Sequence, residues 1–156
     1  MGSVSTAEGV SIRPGHVGLN VADLDRSRAF YEAVFGFRVV HASETSGRRF
    51  AFLGDGERLV LTLWQQAEGR FPTRQPGLHH LAFEVAGLDE VLRAERTLRD
   101  LGVPIIHGGI VAHQEGAESG GLFFEDPDGI RLEISSPAGL AGKPAPTGDA
   151  PACGFF

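Results

Sequence analysis

The sequence predicts an α+β fold of two tandem modules, each with the element order βαβββ. The first observation is an internal repeat: residues 16–25 (HVGLNVADLD) and 80–89 (HLAFEVAGLD) are identical at five of ten positions, 64 residues apart. The second is that each copy opens with alternating apolar residues, the two-residue period of a strand with one buried face. The third is that each alternating stretch runs into a helical pattern that ends at a glycine.

The first module begins with a strand and a helix. The alternate apolar residues of the strand are Val17, Leu19 and Val21. The helix has its apolar residues on one face, at Phe30, Tyr31, Val34 and Phe35. Asp23 or Asp25 is the expected N-cap, and Gly36 the expected end of the helix. We expect three more strands at 37–41, 49–53 and 59–64, the last two joined by a turn at residues 55–56 (DG).

The second module repeats this order. Its opening strand has alternate apolar residues at Leu81, Phe83 and Val85. Its helix runs from Leu88 to Leu101 and ends before Gly102, with Asp89 as the expected N-cap. Three strands follow at about 104–113, 121–125 and 130–135, and the sequence DPDG at 126–129 predicts the turn between the last two.

Composition divides the chain into five segments. They are a flexible N-terminus (1–11), the first module (12–65), a linker (66–77), the second module (78–136) and a C-terminal tail (137–156). Glycine and proline mark the linker. The tail is rich in Pro, Gly and Ala, which predicts an irregular segment; the alternative is that its final aromatics, Phe155 and Phe156, dock on the body of the protein.

Composition and charge exclude several classes of protein. The chain of 156 residues is 42% hydrophobic and 22% charged, typical of a globular domain with a real core. Its longest apolar stretch is far from the roughly 18 residues of a membrane helix, and residues 1–10 do not resemble a secretion signal, so we expect a cytoplasmic protein. The net charge of −6 and the absence of a Lys/Arg cluster argue against nucleic-acid or membrane partners.

Cysteine usage limits the chemistry that the chain can support. Cys153 is the only cysteine, so a disulfide within the chain and a cysteine-based zinc cluster are excluded. We therefore expect any metal to be held by His, Asp or Glu.

The candidate site lies on the strand faces that point away from the helices. Strand alternation places three groups of residues on these faces: His16, Gly18 and Asn20; His80, Ala82 and Glu84; and Arg131, Glu133 and Ser135. If a pseudo-two-fold axis relates the modules, His16 and His80 can converge on one point. His79, one residue away, is expected to face the opposite side.

Two imidazoles and one carboxylate form a ligand set that suits a divalent metal. His16, His80 and Glu133 would leave coordination positions open for substrate or water, and such a triad accepts Fe(II), Zn, Ni, Mn or Co. Aligning the two turns, 55–56 with 128–129, places Val60 opposite Glu133. Valine cannot bind a metal, so the first module offers no fourth ligand at that position.

Three segments also match the pattern of a known family. They are HVGLNV at 16–21 with DLD and FY at 23–25 and 30–31, HLAFEV at 80–85, and FEDPDGIRLE at 124–133. In them the chain resembles, over about residues 13–135, the vicinal oxygen chelate superfamily, which contains glyoxalase I, extradiol dioxygenases, fosfomycin-resistance enzymes and bleomycin-resistance proteins. The resemblance implies a half-open mixed β-sheet cradle over a metal, and a homodimer in which ligands of one site can come from both chains.

The resemblance implies an enzyme that chelates a small, oxygen-rich substrate through two neighbouring oxygens. Two His and one Glu are the ligand set of extradiol dioxygenases, so a dioxygenase-like reaction with Fe(II) is the first expectation. A glyoxalase- or epimerase-type isomerase or lyase is the alternative, although glyoxalase I resembles a four-ligand arrangement and Val60 stands at the fourth position. A metal-free antibiotic- or metabolite-binding resistance protein, such as those for bleomycin, is the non-enzyme alternative.

Further side chains are candidates for supporting roles. The acid/base candidates are His113, His41 and Glu84. The candidate lining of the substrate pocket comprises Asn20, Val60, Thr62, Trp64, Phe123 and Arg131. The expected partners are therefore a small-molecule substrate and a second copy of the chain.

Overall fold

The computed structural model describes residues 9–156. The predicted flexible N-terminus at 1–11 lies mostly outside the described residues; its last three, 9–11, are exposed and belong to no helix or strand. Within the described part of the chain, no helix is both long and apolar enough to cross a membrane.

The first module forms a four-stranded mixed sheet with one helix, as predicted. Its elements are β1 (Val17–Val21), α1 (Leu24–Phe35), β2 (Arg38–Ser43), β3 (Phe50–Gly54) and β4 (Leu59–Gln65). The strand order is β1-β4-β3-β2, with β1 parallel to β4 and the other neighbours antiparallel; we call this sheet A. Asp23 caps α1 by accepting a hydrogen bond from the Arg26 amide, and Gly36 ends it in the left-handed conformation that glycine adopts without strain.

The second module repeats this topology and forms sheet B. Its elements are β5 (Leu81–Glu84), α2 (Leu88–Asp100), β6 (Ile105–Ala112), β7 (Gly120–Glu125) and β8 (Arg131–Ser136), in the order β5-β8-β7-β6. The predicted N-cap of α2 was wrong: Gly87 occupies the cap without a side-chain hydrogen bond, while Asp89 lies in the first turn. An acidic residue there still interacts favourably with the positive end of the helix dipole. The predicted α+β fold of two βαβββ modules is confirmed.

Both modules share one hydrophobic core. We call the side of each sheet that faces the helices its inner face, and the opposite side its outer face. Inner-face residues of both sheets and the apolar sides of both helices belong to a single buried cluster. Helix α1 also contacts sheet B directly, with ring centroids 6.2 Å apart for Phe30 and Phe124 and 4.8 Å apart for Phe35 and Phe83. The outer faces therefore point away from a core that the two modules have in common.

Polar contacts join α1 to the turn before β8. The Tyr31 hydroxyl donates a hydrogen bond of 2.8 Å to Asp126, and the Arg26 guanidinium lies 2.8 Å from Asp128. Burial raises the pKa of Tyr31 well above its ordinary value, and the charge of Asp126 adds to this effect. The turn that was predicted only as a hairpin signal is thus also the polar link between the modules.

The strand register corrects one predicted equivalence between the modules. Gly18 pairs with Thr62 in sheet A, and Ala82 pairs with Glu133 in sheet B. Gly18 and Ala82 are equivalent in the sequence repeat, so Thr62, and not Val60, occupies the place of Glu133. Aligning the turns gave the wrong residue because Thr62 lies six positions after Gly56, whereas Glu133 lies only four after Gly129. One of the two extra positions is Val60, where the register between β3 and β4 shifts; the ladder between β7 and β8 is continuous.

The C-terminal tail lies against sheet B. Backbone amides of the second module donate to it, from Ala112 to Pro144 (2.8 Å) and from Glu115 to Gly148 (2.7 Å), and the Ala152 amide donates to His113 (2.6 Å). A short 3₁₀ helix spans Ala152–Gly154. Of the two expectations for the tail, docking holds for Phe156, which packs on Phe123 and Val111, whereas Phe155 is 54% exposed.

Candidate functional site

Three side chains with metal-binding atoms meet on the outer face of sheet B. His80 directly precedes β5, Glu133 lies in β8, and Cys153 lies in the tail. One ligand atom from each lies within 4.8 Å of the other two. His80 Nε2 is 3.4 Å from Glu133 Oε2. Two of the three predicted ligands are therefore neighbours in space, although 53 positions separate them in the sequence.

Glu133 is buried even though it lies on an outer face. Only 3% of its surface is exposed, because the tail covers this part of the sheet. Its Oε1 is 2.5 Å from His113 Nε2, and the other ring nitrogen of His113 is 2.9 Å from the Ser119 hydroxyl. A buried carboxylate needs such partners to offset its lost hydration. His113, an acid/base candidate from the sequence, thus holds the second oxygen of Glu133.

His80 is in the protonation state that a metal requires. Burial lowers the pKa of His80 below its ordinary value, and the Glu133 carboxylate opposes this effect only in part. At neutral pH its imidazole is therefore neutral, and neutral imidazole is the form that binds metals.

His79 does not face away from the site as predicted. Its Nδ1 lies 2.8 Å from Nδ1 of His80, and its ring is also beside Phe156. Both histidines precede the first residue of β5, so the alternation of strand side chains does not extend to them.

His16 lies elsewhere in the chain. It is exposed at the start of sheet A, and it is not among the described residues whose ligand atoms cluster with His80 and Glu133. No strand of sheet A pairs with a strand of sheet B, and the two outer faces point away from a common core. The pseudo-two-fold convergence of His16 with His80 is therefore not formed within one chain.

Cys153 is the residue that sequence reasoning missed. The expectation that only His, Asp or Glu could hold a metal overlooked a single thiol brought in by the tail. Burial raises the pKa of this thiol, and the nearby Glu133 charge raises it further. A Pro/Gly-rich tail has no periodicity from which to predict the facing of a side chain, and the final Phe-Phe was the only signal of docking.

The other outer face, that of sheet A, is aromatic. We call His41, Phe50, Phe52 and Trp64 the aromatic face. His41 contacts Phe50 and Phe52 with ring centroids 5.2 and 5.6 Å apart, and Trp64 lies 5.2 Å from Phe50. The Trp64 indole donates a 3.0 Å hydrogen bond to the hydroxyl of buried Thr62. Val60 is partly buried at the start of the same strand.

The remaining predicted site residues are divided between the two modules. Phe123 is fully buried beneath Phe156, and the Arg131 guanidinium lies 5.4 Å from the centre of the Phe156 ring. Glu84 is exposed at the end of β5. Asn20 has a structural contact instead: its side-chain oxygen accepts a hydrogen bond from the Gln66 amide and so fixes the start of the linker.

Comparison with known families agrees with this architecture. A family model described as the glyoxalase/bleomycin resistance protein/dioxygenase superfamily matches residues 13–134. The chain belongs to this superfamily. The predicted resemblance is thus confirmed, and members of the superfamily commonly depend on a divalent metal.

Individual members of the superfamily differ in how much of their length the chain covers. It is 34% identical to a lactoylglutathione lyase of Haemophilus influenzae over 131 residues, which is 76% of this chain and 88% of that protein. It is 30% identical to a catechol-2,3-dioxygenase of Bacillus subtilis over 126 residues, or 77% of this chain, but spans only 40% of that protein. A solved glyoxylase/bleomycin resistance protein/dioxygenase domain from Frankia sp. EAN1pec superposes with a TM-score of 0.65 at 25% identity, covering 87% of this chain and 99% of that one.

The donor set on sheet B fits a divalent metal. A neutral imidazole and a carboxylate are ligands that Fe, Zn, Mn, Ni and Co accept, and a thiolate narrows the preference toward softer ions. His113 and Ser119 orient the carboxylate in the manner of the outer partners that surround metal ligands.

Proposed function

We propose that the chain is a divalent-metal-dependent enzyme that acts on a small, oxygen-rich substrate by bidentate chelation. His80, Glu133 and His16 hold the metal, Fe(II) is the first expectation, and the reaction is dioxygenase-like. The observation that supports this most directly is the buried carboxylate of Glu133, 3.4 Å from His80 on a face that the core does not use. When bound, a divalent metal supplies Lewis-acid stabilisation of negative charge on a substrate oxygen.

In this proposal a second copy of the chain provides His16. His16 is exposed just before β1, and the aromatic face presents partly exposed apolar rings on sheet A. A homodimer related by a two-fold axis would place sheet A of one copy over sheet B of the other, and would do so twice. This arrangement would cover the aromatic face and bring His16 to His80 and Glu133 of the second copy.

The surrounding residues have distinct roles in the proposed site. His113 orients the Glu133 carboxylate, since it contacts Oε1 while His80 faces Oε2. Its own orientation depends on Ser119. Arg131 and Phe123, which now contact Phe156, would line the substrate side when the tail is displaced. Trp64 and Thr62 of the second copy would form the opposite wall.

The absence of a carboxylate at the equivalent place in sheet A favours the dioxygenase-like reaction. Thr62 stands where a four-ligand glyoxalase arrangement would need a glutamate. A glyoxalase-type isomerase or lyase is the second candidate, because the similarity to lactoylglutathione lyase extends over 88% of that enzyme. The two candidates share His80 and Glu133 and differ in the metal and the use of oxygen.

Elemental analysis of the purified protein tests the metal site. We expect about one metal ion per chain in the unmodified protein and in His41→Asn, and none in His80→Ala. His41→Asn is the matched control, since it removes an imidazole on the other outer face that touches no proposed ligand. Iron, together with oxygen uptake in the presence of vicinal diols, would support the dioxygenase-like reaction, whereas Zn, Ni, Mn or Co would favour an isomerase or lyase. A protein that neither retains nor rebinds metal would overturn the proposal and favour a metal-free binding protein.

Mixing two defective chains tests whether the site is shared between copies. His16→Ala and His80→Ala are both made on the Cys153→Ser chain, so that the nearby thiol cannot replace a missing histidine. After subunit exchange between equal amounts, the mixed dimer has one intact site, so about one quarter of all sites should bind metal. Metal binding no greater than that of the separate variants would exclude a site formed by two chains.

A further inference from the structure

The last residues of the chain end directly on the proposed metal site. Cys153 approaches His80 and Glu133 until the three ligand atoms lie within 4.8 Å of one another. Three residues later, Phe156 lies beside the His80 ring, with the ring centroids 5.7 Å apart. The tail therefore contacts one proposed ligand and presents a third donor to the pair.

Several contacts independent of any ligand hold Cys153 in this place. The Ala152 amide donates to the carbonyl of His113, whose side chain binds Glu133. Ala152 is fully buried and packs with Phe123 and Val111. Phe156 then fixes the far side of the cysteine by packing at 5.4 Å from Phe123. The thiol is thus positioned by the docking of the residues on both sides of it.

We propose that Cys153 is a metal ligand, whose thiolate completes a His80–Glu133–Cys153 site within one chain. This inference rests on the proposed function, because it needs the metal that His80 and Glu133 hold. On binding, the thiol gives its proton to solvent and the sulfur forms a bond to the metal, so no atom changes oxidation state. A ligand set of one thiolate, one imidazole and one carboxylate suits Zn(II), Co(II) or Fe(II).

The metal then has two alternative third ligands, Cys153 of the same chain and His16 of a second copy. With the tail docked, Phe156 and Ala152 cover the outer face of sheet B on which a second copy would place its own sheet A. The Cys153-bound state and the His16-bound state therefore exclude one another. The tail protects the metal in a single chain, and assembly with a second copy displaces it.

Cobalt spectroscopy on the chain of 156 residues tests this ligand directly. Thiolate bound to Co(II) gives a strong charge-transfer band in the near ultraviolet, and since Cys153 is the only cysteine, this band can arise from no other residue. At a chain concentration low enough to leave single chains, we expect the band in the unmodified protein. His16→Ala, which lacks the competing third ligand, should show it as well. We expect Cys153→Ser to lack it while still binding Co(II), with affinity weakened about tenfold or more.

Alkylation of the thiol provides a second measurement. Iodoacetamide modification, followed by mass spectrometry, should be at least several-fold slower when Co(II) is bound than in its absence. In His80→Ala the metal should no longer slow the reaction, because the thiol alone cannot retain it. His41→Asn, the matched control, should keep the protection.

The possible results separate this inference from the proposed function. In His16→Ala, cobalt binding that depends on His80 and Glu133, but without a charge-transfer band or protection of the thiol, would overturn the role of Cys153 and leave the proposed function intact. A charge-transfer band that persists in His80→Ala or Glu133→Gln would place the thiol–metal bond elsewhere and also overturn the inference. Failure of the unmodified protein to bind cobalt at all would remove both.

Discussion

The outer faces of the two sheets have the same strand order but different chemistry. At equivalent places in the register stand Thr62 in sheet A and Glu133 in sheet B. Sheet A presents aromatic rings that the rest of the described chain leaves partly exposed, whereas sheet B presents a buried carboxylate under the docked tail. The inner faces of the two sheets, in contrast, belong to one continuous apolar core.

This contrast shows which part of a duplicated fold is free to diverge. Inner-face residues must fill a close-packed core, so both copies keep apolar side chains there. Outer-face residues have no such constraint, so one module can provide ligands while the other module provides an apolar wall. A buried Glu133 requires partners, and an exposed aromatic surface favours a cover, so each face needs something that its own sheet does not supply.

Substitutions at the two equivalent positions, Thr62 and Glu133, should produce the largest difference, which is in metal content. Glu133→Gln preserves the shape of the side chain but removes its charge, so we expect the metal content to fall from about one ion per chain to nearly none. Thr62→Val at the equivalent place should leave the metal content unchanged. Elemental analysis of both variants is the measurement, with circular dichroism to establish that each is folded. Equal metal content in the two variants would show that the ligands are not on sheet B.

Substituting a histidine at each outer face, His113 or His41, should change the metal affinity by a smaller factor. His113→Asn removes the contact with Oε1 of Glu133, and the loss of such an orienting partner weakens metal affinity about 10- to 100-fold. His41→Asn, on the aromatic face, should leave the affinity within about twofold, as expected for a residue that touches no ligand. Competition with a chelator measures both. If His113→Asn binds metal as tightly as His41→Asn, the backbone of β8 alone positions the carboxylate.

The tail should contribute stability to one face only. Phe156→Ala removes a ring that packs on Phe123 and His80, and we expect the free energy of unfolding to fall by about 2 kcal/mol, less than for a fully buried Phe. Phe155→Ala removes a side chain that is 54% exposed and should change the free energy by less than about 0.5 kcal/mol. Denaturant unfolding of the two variants gives the comparison. Equal effects would mean that Phe156 does not dock in solution.

The fold was predictable from the sequence because local signals and the repeat agree. The alternation at Val17, Leu19 and Val21, and the glycine after each helix, follow rules that act over a few residues. The register of β4 was not predictable from the sequence, because the shift at Gly54 depends on pairing between strands. The equivalence of Thr62, and not Val60, with Glu133 could therefore be seen only from the strand pairing.

The site was predictable in part, for a similar physical reason. Strand alternation correctly placed Glu133 on the outer face of β8, and His80, which the repeat singled out, lies beside it. That the two residues bind a metal stays a prediction. The proximity of Cys153 depends on long-range packing of a tail that has no period, and the position of His79 depends on the loop before β5. Whether His16 joins the site stays a prediction, since it requires a second chain.

The polar contact between α1 and the turn before β8 should give the smallest effect on stability. It tests whether the two modules share one core. Tyr31→Phe removes the hydrogen bond to Asp126, which keeps two backbone donors, so the free energy of unfolding should fall by about 1 kcal/mol at pH 7. In the folded protein the pKa of Tyr31 is raised above its ordinary value of 10.0, so above pH 10 the unfolded chain loses a proton that the folded chain keeps. Stability therefore decreases as the pH rises through this window, by up to about 1.4 kcal/mol per pH unit. Denaturant unfolding between neutral and alkaline pH should show a clearly smaller slope in Tyr31→Phe than in the unmodified protein, the remainder coming from the Cys153 thiol, whose pKa is also raised. The same slope in both would mean that Tyr31 is not buried between the modules.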